Sequence, residues 1–449
     1  FSDDDNAVAE FDRDFLSYRV SRQITPGIEM EYRGGFSWLD RLNFDDSSRV
    51  NAAGDFDGNL SRTATDASQL KNELRATLKR DDFKVIAGLN SSRQTMNIKT
   101  KTISRSFNFF QETDLDSLDL SELINSFYIH TQIEGNLISE SLSRFSLGLG
   151  SRVLDHDEFG TRATYEINPK YTFRDHTVIF AAVSTGFNAP SLFQLESPAK
   201  SFGEITSLGN EELDPEESIS YEVGVRKQFG SRVALDFSLY RTDVDDAIEF
   251  VNLWDADTPV DELTFSEFKG DTYLNATEQQ TSGLEFGIQA QIMPALRFNG
   301  DITATTSEIT FEPSNIDEGQ TQGNRVQLFE TGQFVDSEKE IDGLVRRPSV
   351  SGNIGVEYRP LSSLKITVNS QFVGSRDDVF FSSTLGPFGA LDREELDSYN
   401  VTDVAVGYDI NNHFNVKGSV TNIFDSEYQE IRGFQSMNRG FFLQLRYSI

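Results

Sequence analysis

Residues able to do chemistry are present in number, but no arrangement of them commits to a reaction. Four histidines, His130, His156, His176 and His413, stand apart with no metal-ligand spacing between any two. Cysteine is absent, which removes thiolate metal sites, thiol nucleophiles and disulfides together. Serine and aspartate are so plentiful that no Ser-His-acid set stands out, and the residues give no enzymatic reading. What remains is recognition chemistry. Acidic runs at Ser2 to Asp5, Asn210 to Glu217 and Asp243 to Glu249 offer the oxygen ligands that calcium takes about six to eight at a time. Spacing alone fits an acidic solvated surface better, so no metal residue and no cofactor is assigned. Aromatic side chains near the ends of apolar stretches could stack on a planar or apolar ligand. Phe193, Trp254, Phe380, Phe381 and Phe434 are the candidates, with packing among loops as the competing role for each.

Charge narrows the classes further. The 449 residues carry a formal net charge of −32, the opposite of the basic footprint that nucleic-acid binding needs. No apolar run approaches the roughly eighteen residues of a membrane-spanning helix, a test that says nothing against membrane-spanning strands. The opening stretch FSDDDNAVAEFD is polar and acidic, without the pattern of a signal peptide.

The elements that must position the candidate residues are strands, because the dominant period is two. In SSLKITVNSQF, Leu364, Ile366, Val368 and Phe372 share one face while Lys365, Thr367, Asn369 and Gln371 share the other. TRATYEINPKYTF places Ala163, Tyr165, Ile167, Tyr171 and Phe173 opposite Arg162, Thr164, Glu166, Asn168 and Lys170. HFNVKGSV and the closing GFFLQLRYSI alternate in the same way. Connections alternate as well. Tight ones fall at Thr25 to Gly27, Arg80 to Asp82, Glu134 to Asn136, Arg174 to His176, Gly230-Ser231, Pro294-Ala295, Leu361 to Ser363 and Asn411 to His413. The opposite connections run over residues 43–67, 96–123, 155–160, 190–217, 252–270, 312–344, 378–396 and 427–439, most of them much longer. Strands with one apolar and one polar face, short turns at one end and long loops at the other predict a transmembrane antiparallel β-barrel of all-β class. A soluble sandwich would alternate too, but it would pack an apolar core, and here the second face carries Lys, Glu, Arg, Asn and Gln. Aromatics where strands meet loops, among them Phe36, Trp38, Phe110 and Phe187, suit an interfacial girdle.

Three stretches carry a family resemblance. VSTGFNAPSLFQL followed by GNEELDPEESISYEVGV resembles a strand end, loop entry and return found in TonB-dependent outer-membrane receptors, with Ala189, Pro190, Leu192, Gly209, Asn210, Leu213, Pro215 and Glu216 at the matching positions. FSLYRTDVDDAIEFV is similar to the strand that follows. VTNIFDSEYQEIRGFQSMNRGFFLQLRYSI resembles the closing signature, matched at Asn422, Phe424, Asp425, Tyr428, Gly433 and Arg439, with Ile449 standing where an aromatic is usual. The motifs span residues 184–449, while residues 1–183 match only in rhythm. The pattern is similar to cobalamin and siderophore receptors.

The resemblance implies a barrel of about 22 strands with a plugged lumen. About 17 strands are counted here, so about five first strands and the N-terminal plug are expected to lie outside this chain. It also implies a bacterial outer-membrane location and active import of a scarce bulky ligand, such as a ferric siderophore or cobalamin, bound at extracellular loops. The implied partners are outer-membrane lipids and lipopolysaccharide, the TonB energy-coupling complex acting through the plug, and a small-molecule ligand. Surface lipoproteins or other envelope subunits stay open as partners. The rival reading is a passive porin or a structural barrel within a larger envelope complex.

Overall fold

A computed structural model describes residues 8–45, 59–104, 109–197, 200–202, 205–207, 209–385 and 389–448. The acidic run Ser2 to Asp5 and the terminal Ile449 lie outside the described residues. One antiparallel sheet of twenty strands dominates. Three of these, Phe109–Asp114, Arg325–Leu328 and Lys339–Asp342, are short pieces paired along the upper ends of longer strands. The other seventeen follow one another from Val8–Thr25 to Gly440–Tyr447, each paired with its neighbour in sequence.

Register carries the two faces across the sheet. Val20, Tyr32, Leu74, Leu89, Phe127, Val153 and Ala163 stand opposite one another on seven successive strands. One residue along, the other face shows Arg19, Arg33, Glu73, Asn90 and Ser126. Further round, Val225, Phe237, Phe286 and Ile302 alternate with Gly224, Ser238, Glu285 and Thr303. The apolar face is the exposed one: Leu89 is 58% and Ile302 44% accessible. A water-soluble sandwich would bury that face, whereas a hydrocarbon surround solvates it. Among the described residues no pairing joins Val8–Thr25 to Gly440–Tyr447, so each presents an edge without a partner strand.

The tight turn at Pro26-Gly27 shows why the short connections stay short. Gly27 has φ +94°, and a Cβ there would come within 2.6 Å of the Lys79 carbonyl oxygen on the neighbouring turn. Three connections differ from the sequence expectation. Strands Ile28–Asp45, Asn59–Lys79 and Phe83–Ser104 run on into residues expected to be loop, because polar positions there still alternate and pair, Thr63 with Thr100 among them. The connection after Glu134 spans ten residues and holds two 3-10 turns, Gly135–Leu137 and Glu140–Leu142. The connection expected at 155–160 is found at Asp157 to Phe159.

Beyond the strands of the second half, the long connections fold on one another. Val251, Leu253, Leu274, Ala276, Ile309, Phe311, Val326 and Leu328 form a buried apolar cluster there. This cap draws on extensions of Val233–Trp254, Phe268–Met293 and Leu296–Phe311, together with Arg325–Leu328 and Lys339–Asp342.

Candidate functional site

The strand Val178–Asn188 ends at Asn188, and the chain then turns across the polar face of strands distant in sequence. Ala189, Pro190, Leu192 and Phe193 roof a cavity of about 630 Å³. Its floor is set by register. One rung reads Arg13, Leu39, Ala67, Met96, and the rung below reads Ser37, Gln69, Gln94, Glu122. Ile124, Arg152 and Leu154 extend the floor sideways. Glu122 is held at both oxygens, by Gln94 Nε2 at 2.7 Å and by His156 Nε2 at 3.0 Å. The buried His156 accepts the Glu158 backbone N–H at Nδ1 (3.2 Å), which leaves its Nε2 proton for Glu122. Roof and floor thus come from strands up to about 180 residues apart in sequence, by the numbering of Arg13 and Phe193.

The roof is braced locally. Ser191 caps the helix Leu192–Glu196 through a capping box with Gln194, so two otherwise unpaired donors are satisfied together. Gly209 passes so close to Leu195 that an added Cβ would lie 2.4 Å from its carbonyl oxygen. Asn210, 9% exposed, accepts the Glu212 N–H and donates to the Tyr273 carbonyl at 2.8 Å. Leu213 and Pro215 are buried, and Glu216 accepts from Ile248 N–H and Asn188 Nδ2. Gly209, Asn210, Leu213, Pro215 and Glu216 therefore fasten the loop, while Ala189, Pro190, Leu192 and the half-exposed Phe193 face the cavity.

The other aromatic candidates fall into different settings. Trp254 is fully buried, donates its indole N–H to Gln327 at 2.8 Å, and packs against Phe268 and Phe334, so no ring face is open to a ligand. Phe380 carries the Arg432 guanidinium over its ring at 4.1 Å. Phe381 and Phe434 are exposed on neighbouring hairpins, Arg376–Ser382 with Ala390–Leu396 and Gln429–Ile431 with Phe434–Gln435. None of the four lines the cavity under Phe193.

Those hairpins are tied by one buried carboxylate. Asp378 accepts from Arg346 Nε at 2.7 Å, from its neighbour Val379 N–H at 2.8 Å and from Arg432 N–H at 2.6 Å. Burial pushes its pKa up, but the Arg432 and Val379 N–H groups and the Arg346 guanidinium outweigh it and hold the carboxyl below the ordinary range. In the closing signature, Asn422 is a buried turn residue bonded to Ser426 in both directions, and Asp425 accepts the Arg439 N–H at 2.7 Å. Tyr428 stacks on Tyr399 at 4.2 Å, Gly433 turns with φ +82°, and Phe424 is exposed.

Comparison with known proteins places this architecture. Residues 1–423 match the family model described as TonB dependent receptor-like, beta-barrel. The chain belongs to the TonB-dependent receptor β-barrel family. A vitamin B12 transporter, BtuB, of Photobacterium profundum is 23% identical over 309 residues, covering 66% of this chain and 39% of that protein. Among solved structures, the copper transporter OprC superposes with a TM-score of 0.69 at 13% identity, covering 99% of this chain and 66% of that one. The ferric-catecholate import receptor Fiu of K12 E. coli gives 0.64 at 14% identity, covering 100% and 65%. The chain thus spans less than two thirds of the length of these relatives. These likenesses show the fold, and membership of the family sets this receptor barrel in the outer membrane, with its apolar face toward lipid and its polar face toward the lumen.

Several residues that organise the receptor's outer end were not singled out by sequence. Asn275 and Gln320 are each 6% exposed: Asn275 Nδ2 donates to the Asp214 and Asp246 carbonyls, and Gln320 Nε2 donates to the Glu212 carbonyl and to Asn275 Oδ1. Gln327 joins Trp254 to the Gly332 carbonyl. The signal for Asn275 and Gln327 was an amide inside an otherwise apolar or β-branched stretch, a pattern that also describes any lumen-facing position, while Gln320 lies in the polar run NIDEGQTQGN and gave none. Glu249, which closes the acidic run Asp243 to Glu249, lies in the same region. Burial and the nearby Glu330 and Glu216 carboxylates push its pKa up to about 7, against the pull of Arg393 and Gln279.

Proposed function

We propose that this barrel is the outer-membrane part of a TonB-dependent importer that takes a scarce, bulky small molecule, of ferric siderophore or cobalamin type, from its long-loop end into the periplasm. The observation that carries the reading is the cavity on the lumen face of the upper wall, roofed by a loop that the motif residues fasten. A polar wall of large circumference suits a wide, filled lumen better than a packed core. The functions of the relatives, vitamin B12 transport and ferric-catecholate import, support the ligand classes. On this reading the coupling complex acts through a plug domain. Lipid and lipopolysaccharide meet the apolar face, and surface lipoproteins or other envelope subunits are further partners.

We also propose that about five further strands complete the wall, supplied by the same polypeptide or by another. Both edge strands would otherwise hold backbone groups in hydrocarbon without partners, at several kcal/mol each. Uptake of radiolabelled cyanocobalamin and of ferric-siderophore mixtures by cells carrying or lacking the gene, with and without TonB, tests the importer. TonB-dependent accumulation of one ligand class is expected. Equal entry of small solutes with and without TonB would point to the passive porin instead.

A further inference from the structure

The floor of the cavity departs from the face it belongs to. Elsewhere on these strands the lumen face shows Arg19, Arg33, Lys71, Glu73 and Gln132, but here Leu39, Met96, Ile124 and Leu154 form an apolar strip beside the polar rung of Ser37, Gln69, Gln94 and Glu122, under Leu192 and Phe193. Cations stand at its two flanks, Arg13 on the first strand and Arg152 on Phe145–His156. Neither makes an ion pair among the described residues, and Arg152 donates to Ser126 Oγ at 2.9 Å. The one carboxylate in the lining, Glu122, has both oxygens occupied by Gln94 and His156.

We propose that this cavity is a subsite for one anionic arm of the ligand: a flat or branched apolar group that carries a carboxylate, sulfonate or similar acid. The assignment rests on the importer reading and names the chemistry of its site. The apolar body lies on Leu39, Met96, Ile124 and Leu154 and is covered by Phe193, while the acid is met by Arg152 or Arg13. A neutral arm leaves both guanidiniums without an anionic partner, and a cationic arm faces two like charges. The size fits, since about 630 Å³ lies within the roughly 300–1,000 Å³ of small-molecule sites. Because the lining belongs to the lumen face, acyl chains of the surrounding membrane do not reach it.

The test is calorimetric titration of the full-length receptor in lipid nanodiscs with three probes of one shape: 2-naphthoate, neutral 2-naphthylmethanol and cationic 2-naphthylmethylammonium. Saturable binding of naphthoate is expected, about tenfold or more tighter than the alcohol, with the ammonium weakest. Arg152→Gln and Arg13→Gln should together remove the preference for the acid, weakening naphthoate at least tenfold more than the alcohol. Arg152→Lys, made in the Arg13→Gln background, should restore a large part of that preference, which separates lost charge from lost fold. Phe193→Ala should weaken acid and alcohol alike, by roughly tenfold. Equal binding of acid and alcohol, tighter binding of the ammonium, no binding of naphthoate, or indifference to both arginine substitutions would overturn the assignment. The titration needs no TonB, so its failure is distinguishable from failure of import. A receptor that imports its ligand yet shows no acid preference loses only the subsite, and one that shows the preference but imports nothing loses the importer reading.

Discussion

The two ends of this chain use the same strand rhythm to opposite ends. Over residues 8–134 the strands continue past the apolar band mainly as paired ribbons, with one small buried cluster of Ile98, Leu115 and Leu120 where the chain after Phe109–Asp114 folds back: Asn59–Lys79 and Phe83–Ser104 stay in register over their whole shared length without a bulge. Over residues 216–439 the strands break register above the band, as Val233–Trp254 does between Val244 and Ala247, and their connections close over an apolar core. A ribbon offers a flat polar wall fixed by backbone hydrogen bonds. A folded cap offers shape, but it must be held by side chains. The cavity lies where the two meet, with a wall from the ribbons and a roof from the loop that follows Asn188.

If the cap is held by side chains, removing one fastener should loosen it while the ribbons stay intact. The largest effect is expected from Asp378→Ala, which strips the shared anion from Arg346 and the Arg432 N–H. Asp378 is buried while Arg346 is about half exposed, so the cost is that of stripping a charged acceptor from its N–H donors, about 1.5–3 kcal/mol for each bond lost. Hydrogen exchange should then show lost protection in residues 343–347, 376–382, 390–396 and 429–433, with protection kept in the strands of residues 8–134. Unchanged protection there would mean that the cap does not depend on Asp378.

Leu274→Ala empties the centre of the cap cluster and should cost it about 2–5 kcal/mol, read as earlier proteolytic cleavage within residues 312–349. Cleavage in the ribbons instead would erase the distinction between the two regions.

Glu249 gives the cap a pH dependence of its own. Its pKa is raised when folded, so the folded cap prefers the neutral acid. Stability is fully present below the ordinary glutamate value of about 4.3 and is lost as pH rises toward about 7, by on the order of 3 kcal/mol at most. Cap protection should fall between pH 5 and pH 8 in the native protein and stay nearly level in Glu249→Gln. A parallel fall in both would assign the pH dependence to other groups.

The smallest effect is expected in a ribbon. Thr63→Ala removes one cross-strand threonine pair with Thr100, a change of about 0.2–1 kcal/mol. A larger loss on thermal melting would show that the ribbons, too, rely on particular side chains.

Much of this was legible in the residues because a strand writes its two faces into alternate letters. Leu364, Ile366 and Val368 against Lys365, Thr367 and Asn369 required no tertiary knowledge, and the seventeen-strand count follows from the same alternation. The ends of strands were less legible. Polar alternation in residues 59–66 and 97–104 resembles loop composition until the two segments are seen to pair. The aromatic candidates show the same limit from another side. A tryptophan beside a loop can stack on a ligand or fill a core, and Trp254 fills one because Gln327, 73 residues away, takes its indole proton.

Alternation by itself determined the class of sheet, its lipid and lumen faces and the order of its short and long ends, since each is a local property repeated along the chain. Only the tertiary structure decided that GFNAPSLF folds inward over Leu39, Met96 and Leu154, that Asn210 and Asn275 are fasteners, and that Arg13 and Arg152 share one cavity. Those relations join residues from distant strands, and register, which sets who stands beside whom, is fixed by the whole set of pairings and not by any one segment.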